Sequence, residues 1–370
     1  MSDMNIKMVD LKNQYLKIKN EVDKAIQEVI DSTQFIQGKI VKEFENNAAT
    51  YLECKFAIGC ASGTEALQIA MMAIDIKPGD EIITTPFTFV ATTETIALLG
   101  AIPVYVDIDE KTFNLDINKI EEKITPKTKA IIPVHLYGQS AEMDAIMDIA
   151  KKYGLKVIED SAQAFGAVYR GKKVSSIGDI GCVSFFPSKN LGGFGDGGMV
   201  TTNDEALAEK MRIIINHGSR KRYYHEILGV NSRLDSLQAA ILNVKLKYIE
   251  DYHDARISAA KKYNTRLTEY VEIPFVLPYV KHIFHQYSIR VKKRDKLVEF
   301  LRENNIPAMI YYPVPLHLQE AYKYDYKKGD YPITENVSEE IMSLPMHTEL
   351  TDEQINYITD KIIEFQKKNR

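Results

Sequence analysis

The sequence predicts an α/β fold: a large unit built on a mostly parallel sheet with helices on both faces, then a smaller α+β unit. Two observations carry this. Between residues 57 and 202 short apolar runs alternate with amphipathic helical stretches, and buried strands separated by helices favour a parallel sheet covered on both sides. From about residue 250 the alternation gives way to a long polar helix, prolines and scattered short elements. The length of 370 residues suits a large domain plus a smaller one, at about 100–200 residues per domain. On this reading residues 1–250 form the large unit and 251–370 the small one.

Taken in order, residues 11–30 place Leu11, Tyr15, Ile18, Val22, Ile26, Val29 and Ile30 at steps of three and four, which is one helix face. After Gly38 a second helix runs from about 41 to 52. Apolar runs predict strands at 57–60, 81–85, 103–106, 130–134, 156–159 and 181–186. Helical stretches at 64–76, 89–99, 117–123 and 143–153 lie between most of them, and a glycine-rich turn leads into a further strand at 199–202. In the second unit a helix runs to about 270, a strand sits around 287–291 and a helix at 296–303. Thr351 with Gln354 three residues on makes a capping box for the last helix. Its buried stripe is Ile355, Ile358, Ile362 and Phe365.

Composition narrows the function. Hydrophobic residues make up 45% and charged residues 26%, ordinary globular usage. With 47 basic and 51 acidic residues the net charge is −4, and a duplex nucleic-acid binder shows a basic excess or stripe instead. The densest basic run, Arg220-Lys221-Arg222 beside Tyr223 and His225, suits a small phosphorylated ligand better than a polynucleotide, and is equally an ordinary surface feature. Cys54, Cys60 and Cys182 form no CxxC pair and leave an odd count, which points to a reducing compartment. The N-terminal stretch lacks the apolar core of a signal peptide, and no run of about 18 apolar residues suggests a membrane span. The expectation is a soluble, cytoplasmic protein.

Gly193, Gly195 and Gly198 spell a literal GxGxxG. A dinucleotide fingerprint follows a strand and opens a helix, so that the helix N-terminus meets the pyrophosphate. Here Met-Val-Thr-Thr follows, a strand pattern, so the context fails. These glycines serve a tight turn beside something bulky.

Four other pieces fall where an α/β sheet puts its ligand, at strand C-termini. Ser62-Gly63-Thr64 follows the 57–60 strand and opens a helix. Such free N–H groups suit a phosphate, although taken alone the segment is an ordinary N-cap. Asp160 ends the 156–159 strand, with Gln163 three residues on. A carboxylate there is a cap, a metal ligand or an acid–base group. No second ligand lies at helical spacing nearby, HExxH is absent, and His282 and His285 read as part of a strand in the small unit, so no metal is expected. Lys189 follows a buried strand and Ser184-Phe-Phe-Pro-Ser, and precedes a glycine-rich turn. Most lysines are solvated, but one in an apolar, glycine-rich setting has a lowered pKa and can form a Schiff base. Phe89 ends the fourth piece, alone a core residue and beside the others a stacking face. Together they supply what pyridoxal 5′-phosphate (PLP) needs: a Schiff-base lysine, an acidic partner for the pyridinium nitrogen, a phosphate cradle and a stacking surface.

The segments around Lys189, Glu159-Asp160-Ser-Ala-Gln163, Ala61-Ser-Gly-Thr64 and Gly229-Val-Asn231-Ser-Arg233-Leu-Asp resemble the DegT/DnrJ/EryC1/StrS family of nucleotide-sugar aminotransferases. The likeness runs through nearly the whole chain, including Tyr312-Pro-Val-Pro-Leu-His317. Within the family it is most similar to the UDP-2-acetamido-2-deoxy-3-oxo-glucuronate aminotransferases, which supply precursors of surface polysaccharides such as lipopolysaccharide O-antigen. The resemblance implies a PLP-dependent transferase of fold type I and a homodimer with active sites at the subunit interface. It implies that Lys189 carries the cofactor and Asp160 faces the ring nitrogen. Gln163 then lies near the ring hydroxyl, Phe89 stacks on the ring, and Gly63, Thr64 and Ser184 hold the phosphate. Asn231 reaches that phosphate from the other subunit, and Arg233, also across the interface, binds a substrate carboxylate. Tyr311, Tyr312 and His317 are implied at the substrate. Many members have His-Tyr-Pro where this chain has Tyr311-Tyr312-Pro313, which concerns the sugar contact.

The implied reaction moves an amino group from L-glutamate to the C3 ketone of a nucleotide-linked keto sugar by ping-pong steps, with Lys189 shuttling the proton. A dTDP-3-keto-6-deoxyhexose 3-aminotransferase shares the Asn-Ser-Arg-Leu-Asp segment and stays open as an alternative. Sugar dehydratases of the same fold carry histidine where Lys189 stands. A non-catalytic regulator or sugar-binding member is the third reading, and intact Lys189, Asp160 and Gln163 argue against it.

Overall fold

The computed structural model describes residues 5–322 and 324–369. Two helices come first, α1 (Leu11–Ser32) and α2 (Lys39–Leu52). Only part of the stripe read on α1 is buried: Ile18 and Val22 pack against Ile241 and Val244, while Leu11 and Ile30 stay exposed. The alternating stretch then gives β1 (Phe56–Cys60), α3 (Gly63–Ala73), β2 (Glu81–Thr84), α4 (Ala91–Leu98), β3 (Ile102–Tyr105), β4 (Thr128–Ile131), α5 (Met143–Tyr153) and β5 (Lys156–Asp160). A small hairpin of β6 (Val168–Tyr169) and β7 (Lys172–Lys173) precedes β8 (Ile180–Ser184) and β9 (Gly198–Thr202).

These strands make a seven-stranded sheet in the order β1-β9-β8-β5-β4-β2-β3. The pairs β2–β3, β2–β4, β4–β5 and β5–β8 are parallel, whereas β9 runs antiparallel to both neighbours. The exception follows from connection length. Parallel neighbours need a crossover, usually a helix, and the glycine-rich turn between β8 and β9 contains none. It delivers a strand rather than a helix, as the GxGxxG context required. Adjacent residues of each strand feed opposite faces. Ile82 and Ile158 join Ile69 and Met71 of α3 on one side, while Ile83, Ile131 and Val157 meet Ile146 of α5 on the other. Over β8 and β9, Val183 and Met199 pack against Phe44 of α2 and Leu242 of a later helix.

That helix is α7 (Ser236–Leu246), after α6 (Glu205–Ile214) and before α8 (Ile249–Leu267). Then come β10 (Val280–Lys281), β11 (Tyr287–Arg290), α9 (Arg294–Glu303), α10 (Pro332–Glu340), β12 (Ile341–Leu344) and α11 (Asp352–Lys368). β11 and β12 pair antiparallel, and Tyr263, Tyr287, Leu297, Leu301, Met342 and Leu344 form a second core with the α11 stripe of Ile355, Ile358, Ile362 and Phe365. Burying each large aliphatic side chain there contributes about 1.5–3 kcal/mol. The expected capping box is present: Thr351 Oγ1 accepts from Gln354 N, and Gln354 Oε1 accepts from Thr351 N. Ile6 also joins this core. The proposed boundary at 250/251 falls near the start of α8, whose Ile249 and Tyr252 pack with the large sheet and whose Ala259 to Leu267 end packs with the second core.

Two elements differ from expectation. Residues 117–123 form two short 3₁₀ turns, Ile117–Lys119 and Glu121–Lys123, rather than an α-helix. Pro126 disfavours helix at the residue before it, leaving too few residues for an α-helix to recover its nucleation cost. His282 and His285 sit not in a strand but in the segment between β10 and β11.

Candidate active site

β1, β5 and β8 end on one edge of the sheet, and the chain leaves each of them into the same cavity of about 680 Å³. At the end of β1, Ser62 caps α3 by accepting a hydrogen bond from Glu65 N. The backbone of Gly63 then lies so close to β8 that an added Cβ would stand 2.6 Å from the Ser184 Cβ. Only glycine lets the helix N-terminus approach this far, and it puts Gly63, Thr64 and Ser184 together on the cavity wall. Free N–H groups at a helix start, flanked by two hydroxyls, make an anion seat.

At the end of β5, Asp160 is buried. Its Oδ2 accepts from Thr92 Oγ1 at 2.8 Å and its Oδ1 from Ala162 N at 3.2 Å. Burial raises the carboxyl pKa, and the Thr92 hydroxyl, the Ala162 N–H and the charges of Lys189 and His135 partly offset that rise. Gln163, on the following turn, is held at both ends of its amide. Its Oε1 accepts from Tyr137 N at 2.8 Å and its Nε2 donates to Tyr312 Oη at 2.9 Å.

Beyond β8 the chain turns back, with Lys189 N bonded to Phe186 O and Gly193 N to Phe185 O. Lys189 is half-buried on the cavity wall. Loss of water lowers its amine to about 8, against the pull of the Asp160 carboxylate, which favours the ammonium. Phe89, 54% exposed, stands at the rim with its ring centroid 6.4 Å from that of Tyr312. Tyr311 and Tyr312 close the far side, and the Tyr137 hydroxyl donates to the Tyr311 carbonyl.

The cavity thus brings together Lys189, Asp160, Gly63, Thr64, Phe89, Gln163, Ser184, Tyr311 and Tyr312. Three predicted residues are not on its wall. Asn231 is exposed in a bridge with Asn216, and Arg233 has a buried Nε without a partner. His317 is buried with its Nε2 3.0 Å from Glu335 Oε1, a contact that ties two segments of the second unit together. Arg220 is likewise engaged, by Glu209 and Glu226.

Sequence reasoning missed Thr88, Tyr137, His285 and Gln286, all of which line the cavity. His285 is buried, with Nδ1 3.2 Å from the side-chain oxygen of Asn190, next to Lys189. Burial, with the charges of Lys189 and Arg256, holds its imidazole well below the usual range, hence neutral. The one available signal for Thr88 and for Thr92 behind it was the density of threonines at 84–95 in an otherwise apolar stretch.

An amine with a lowered pKa, a buried carboxylate, an anion seat and an exposed ring face match the chemistry that PLP requires. Among the described residues no group of three or more metal-ligating side chains converges, and no helix is long and apolar enough to cross a membrane.

A model of the DegT/DnrJ/EryC1/StrS aminotransferase family matches residues 16–363. The chain is 50% identical to a pleiotropic regulatory protein of Geobacillus stearothermophilus, over 98% of this chain and 99% of the other. It is 47% identical to the UDP-2-acetamido-2-deoxy-3-oxo-D-glucuronate aminotransferase of Pseudomonas aeruginosa, over 95% and 98%. Its fold matches the crystal structure of S. venezuelae DesV in complex with a ketimine intermediate with a TM-score of 0.96, at 38% identity and 98% coverage of both chains.

Proposed function

The chain belongs to the DegT/DnrJ/EryC1/StrS aminotransferase family, and from that premise we propose that it transfers the amino group of L-glutamate to the C3 ketone of UDP-2-acetamido-2-deoxy-3-oxo-glucuronate. It is a PLP-dependent nucleotide-sugar aminotransferase with the fold type I architecture. The sugar is the proposed step, and the observation that carries it is the 47% identity to the P. aeruginosa enzyme over almost the whole of both chains. The product would feed surface polysaccharide in the cytoplasm, before export.

When bound, PLP supplies an electron-accepting ring that stabilises charge on the carbon losing its hydrogen. The residues do the rest. Lys189 would hold the cofactor through its amine, and the same amine, once free, would serve as the base and acid that moves the proton in each half of the exchange. Asp160 would keep the ring nitrogen protonated, and Gln163 would meet the ring hydroxyl. Gly63, Thr64 and Ser184 would seat the phosphate, while Phe89 would supply a stacking face for the ring. Tyr311 and Tyr312 face the sugar. Asn231 and Arg233 reach the cavity from a second copy of the chain, where the Arg233 guanidinium can pair bidentately with the uronate carboxylate. The exposed Leu16, Phe35, Ile36, Phe186 and Phe194 supply apolar surface for such a dimer.

The test is a panel of UDP- and dTDP-linked 3-keto sugars with glutamate as donor, scored by amino-sugar formation. Preference for the UDP uronate supports the proposal. Preference for a dTDP-3-keto-6-deoxyhexose overturns the sugar while leaving the aminotransferase intact.

A further inference from the structure

We propose that Thr88 and Thr92 form a hydroxyl relay that pins the Asp160 carboxylate and holds it ionised toward the cofactor ring, Thr92 acting as a positioning residue. The proposal rests on the reading of Asp160 as the partner of the ring nitrogen.

Thr92 sits in the first turn of α4, a helix that otherwise packs against the sheet core, and it is fully buried. Its Oγ1 lies 2.8 Å from Asp160 Oδ2 and 3.1 Å from Thr88 Oγ1, which is also buried. Thr88 in turn lines the cavity. Each hydroxyl has one proton to give. An ionised carboxylate only accepts, so the Thr92 proton goes to Asp160 and the Thr88 proton goes to Thr92. The chain of donors therefore has one direction, from the cavity wall to the carboxylate. With Ala162 N on Oδ1, both oxygens are fixed, and the carboxyl plane cannot rotate without breaking a bond.

The relay also biases charge. A hydrogen bond to an ionised acceptor is roughly twice as strong as one between neutral groups, so Thr92 stabilises the carboxylate more than the acid. This opposes burial, which favours the acid. Other groups facing Asp160 are Lys189, His135, Cys182 and Tyr312. Of these only Lys189 and His135 favour the ionised form, and Lys189 is consumed when it holds the cofactor. Thr92, the side chain that donates a hydrogen bond to this carboxylate, and the charge of His135 are what persist while the amine is engaged.

The test uses cofactor-free protein carrying 13C-labelled aspartate, with the Asp160 resonance assigned by its loss in Asp160→Asn. Thr92→Val, which keeps shape and removes the donor, should raise the Asp160 midpoint by about 1 pH unit. Thr92→Ser should restore it, and Thr88→Val should move it less, in the same direction. In the PLP-loaded enzyme Thr92→Val should lower kcat about tenfold with KM for glutamate unchanged, and Thr92→Ser should recover most of the loss. An Asp160 titration that does not move in folded Thr92→Val overturns the relay. Full turnover in Asp160→Asn overturns instead the role given to Asp160, whatever the titration shows.

Discussion

At Lys189 two effects oppose each other: loss of water drives the amine neutral, and the Asp160 carboxylate draws it toward the ammonium. Burial wins, lowering the amine from 10.5 to about 8. At pH 7 about a tenth of such an amine is unprotonated, against about 0.03% of an ordinary lysine. Capture of PLP by cofactor-free protein should therefore speed up as pH rises from 6 to 8 and level off above about 8.5. The sign is that of a base whose proton must leave before it attacks; a flat profile below pH 8 would contradict it. Lys189→Ala should show neither capture nor turnover, and no visible band that borohydride removes. The same lowered pKa means that the unfolded chain binds the proton more tightly between about 8 and 10.5, so this group adds stability to the cofactor-free protein as pH rises through that window. Lys189, Asp160 and Gln163 were legible in the sequence because each closes a strand or the turn after it. Thr92 and His285 were not, since their partners Asp160 and Asn190 lie 68 and 95 residues away. Nor was the contact of His317 with Glu335, 18 residues on, because nothing local distinguishes a ring aimed at a ligand from one aimed at a carboxylate.

Among the elements, α3 bears most directly on the cofactor. Its start is pressed against β8 at Gly63, where a Cβ would meet Ser184 at 2.6 Å. Gly63→Ala must push the helix N-terminus outward, and with it the anion seat. PLP retention, measured by equilibrium dialysis, should weaken at least about tenfold, because misplaced N–H groups lose charge-assisted bonds to the phosphate. Gly154 provides the contrast. It ends α5 at φ +68° in open space, so Gly154→Ala should cost about 1–2 kcal/mol of stability from left-handed strain and leave PLP affinity unchanged. Equal loss of PLP in both variants would mean that Gly63 acts only through stability. Elements with a local signature were readable: the alternating strands, the Thr351–Gln354 box, the α11 stripe. Residues 117–123 and 282–285 were not, because short segments take their form from neighbours distant in sequence.

At the scale of the whole molecule, the cavity of one chain contains the amine and the carboxylate but not Asn231 or Arg233. Arg233 has a buried Nε with no partner, an arrangement that costs energy unless something meets it. The exposed apolar side chains of α1 and of the 186–194 turn offer a surface for a second copy. In the proposed two-fold dimer each Arg233 would serve the site that holds the other subunit's Lys189. The consequence is testable by complementation. Lys189→Ala and Arg233→Ala homodimers should each be weak or dead on the keto sugar. Co-expressed with separate tags, half of the dimers pair one subunit of each kind, and in those one of the two sites has both residues intact. The mixture should recover up to about a quarter of wild-type turnover, the statistical limit for two shared sites in a symmetric dimer. Affinity-purified mixed dimers should reach about half. If they stay as inactive as their parents while PLP still binds to the intact Lys189, the active site is confined to one chain.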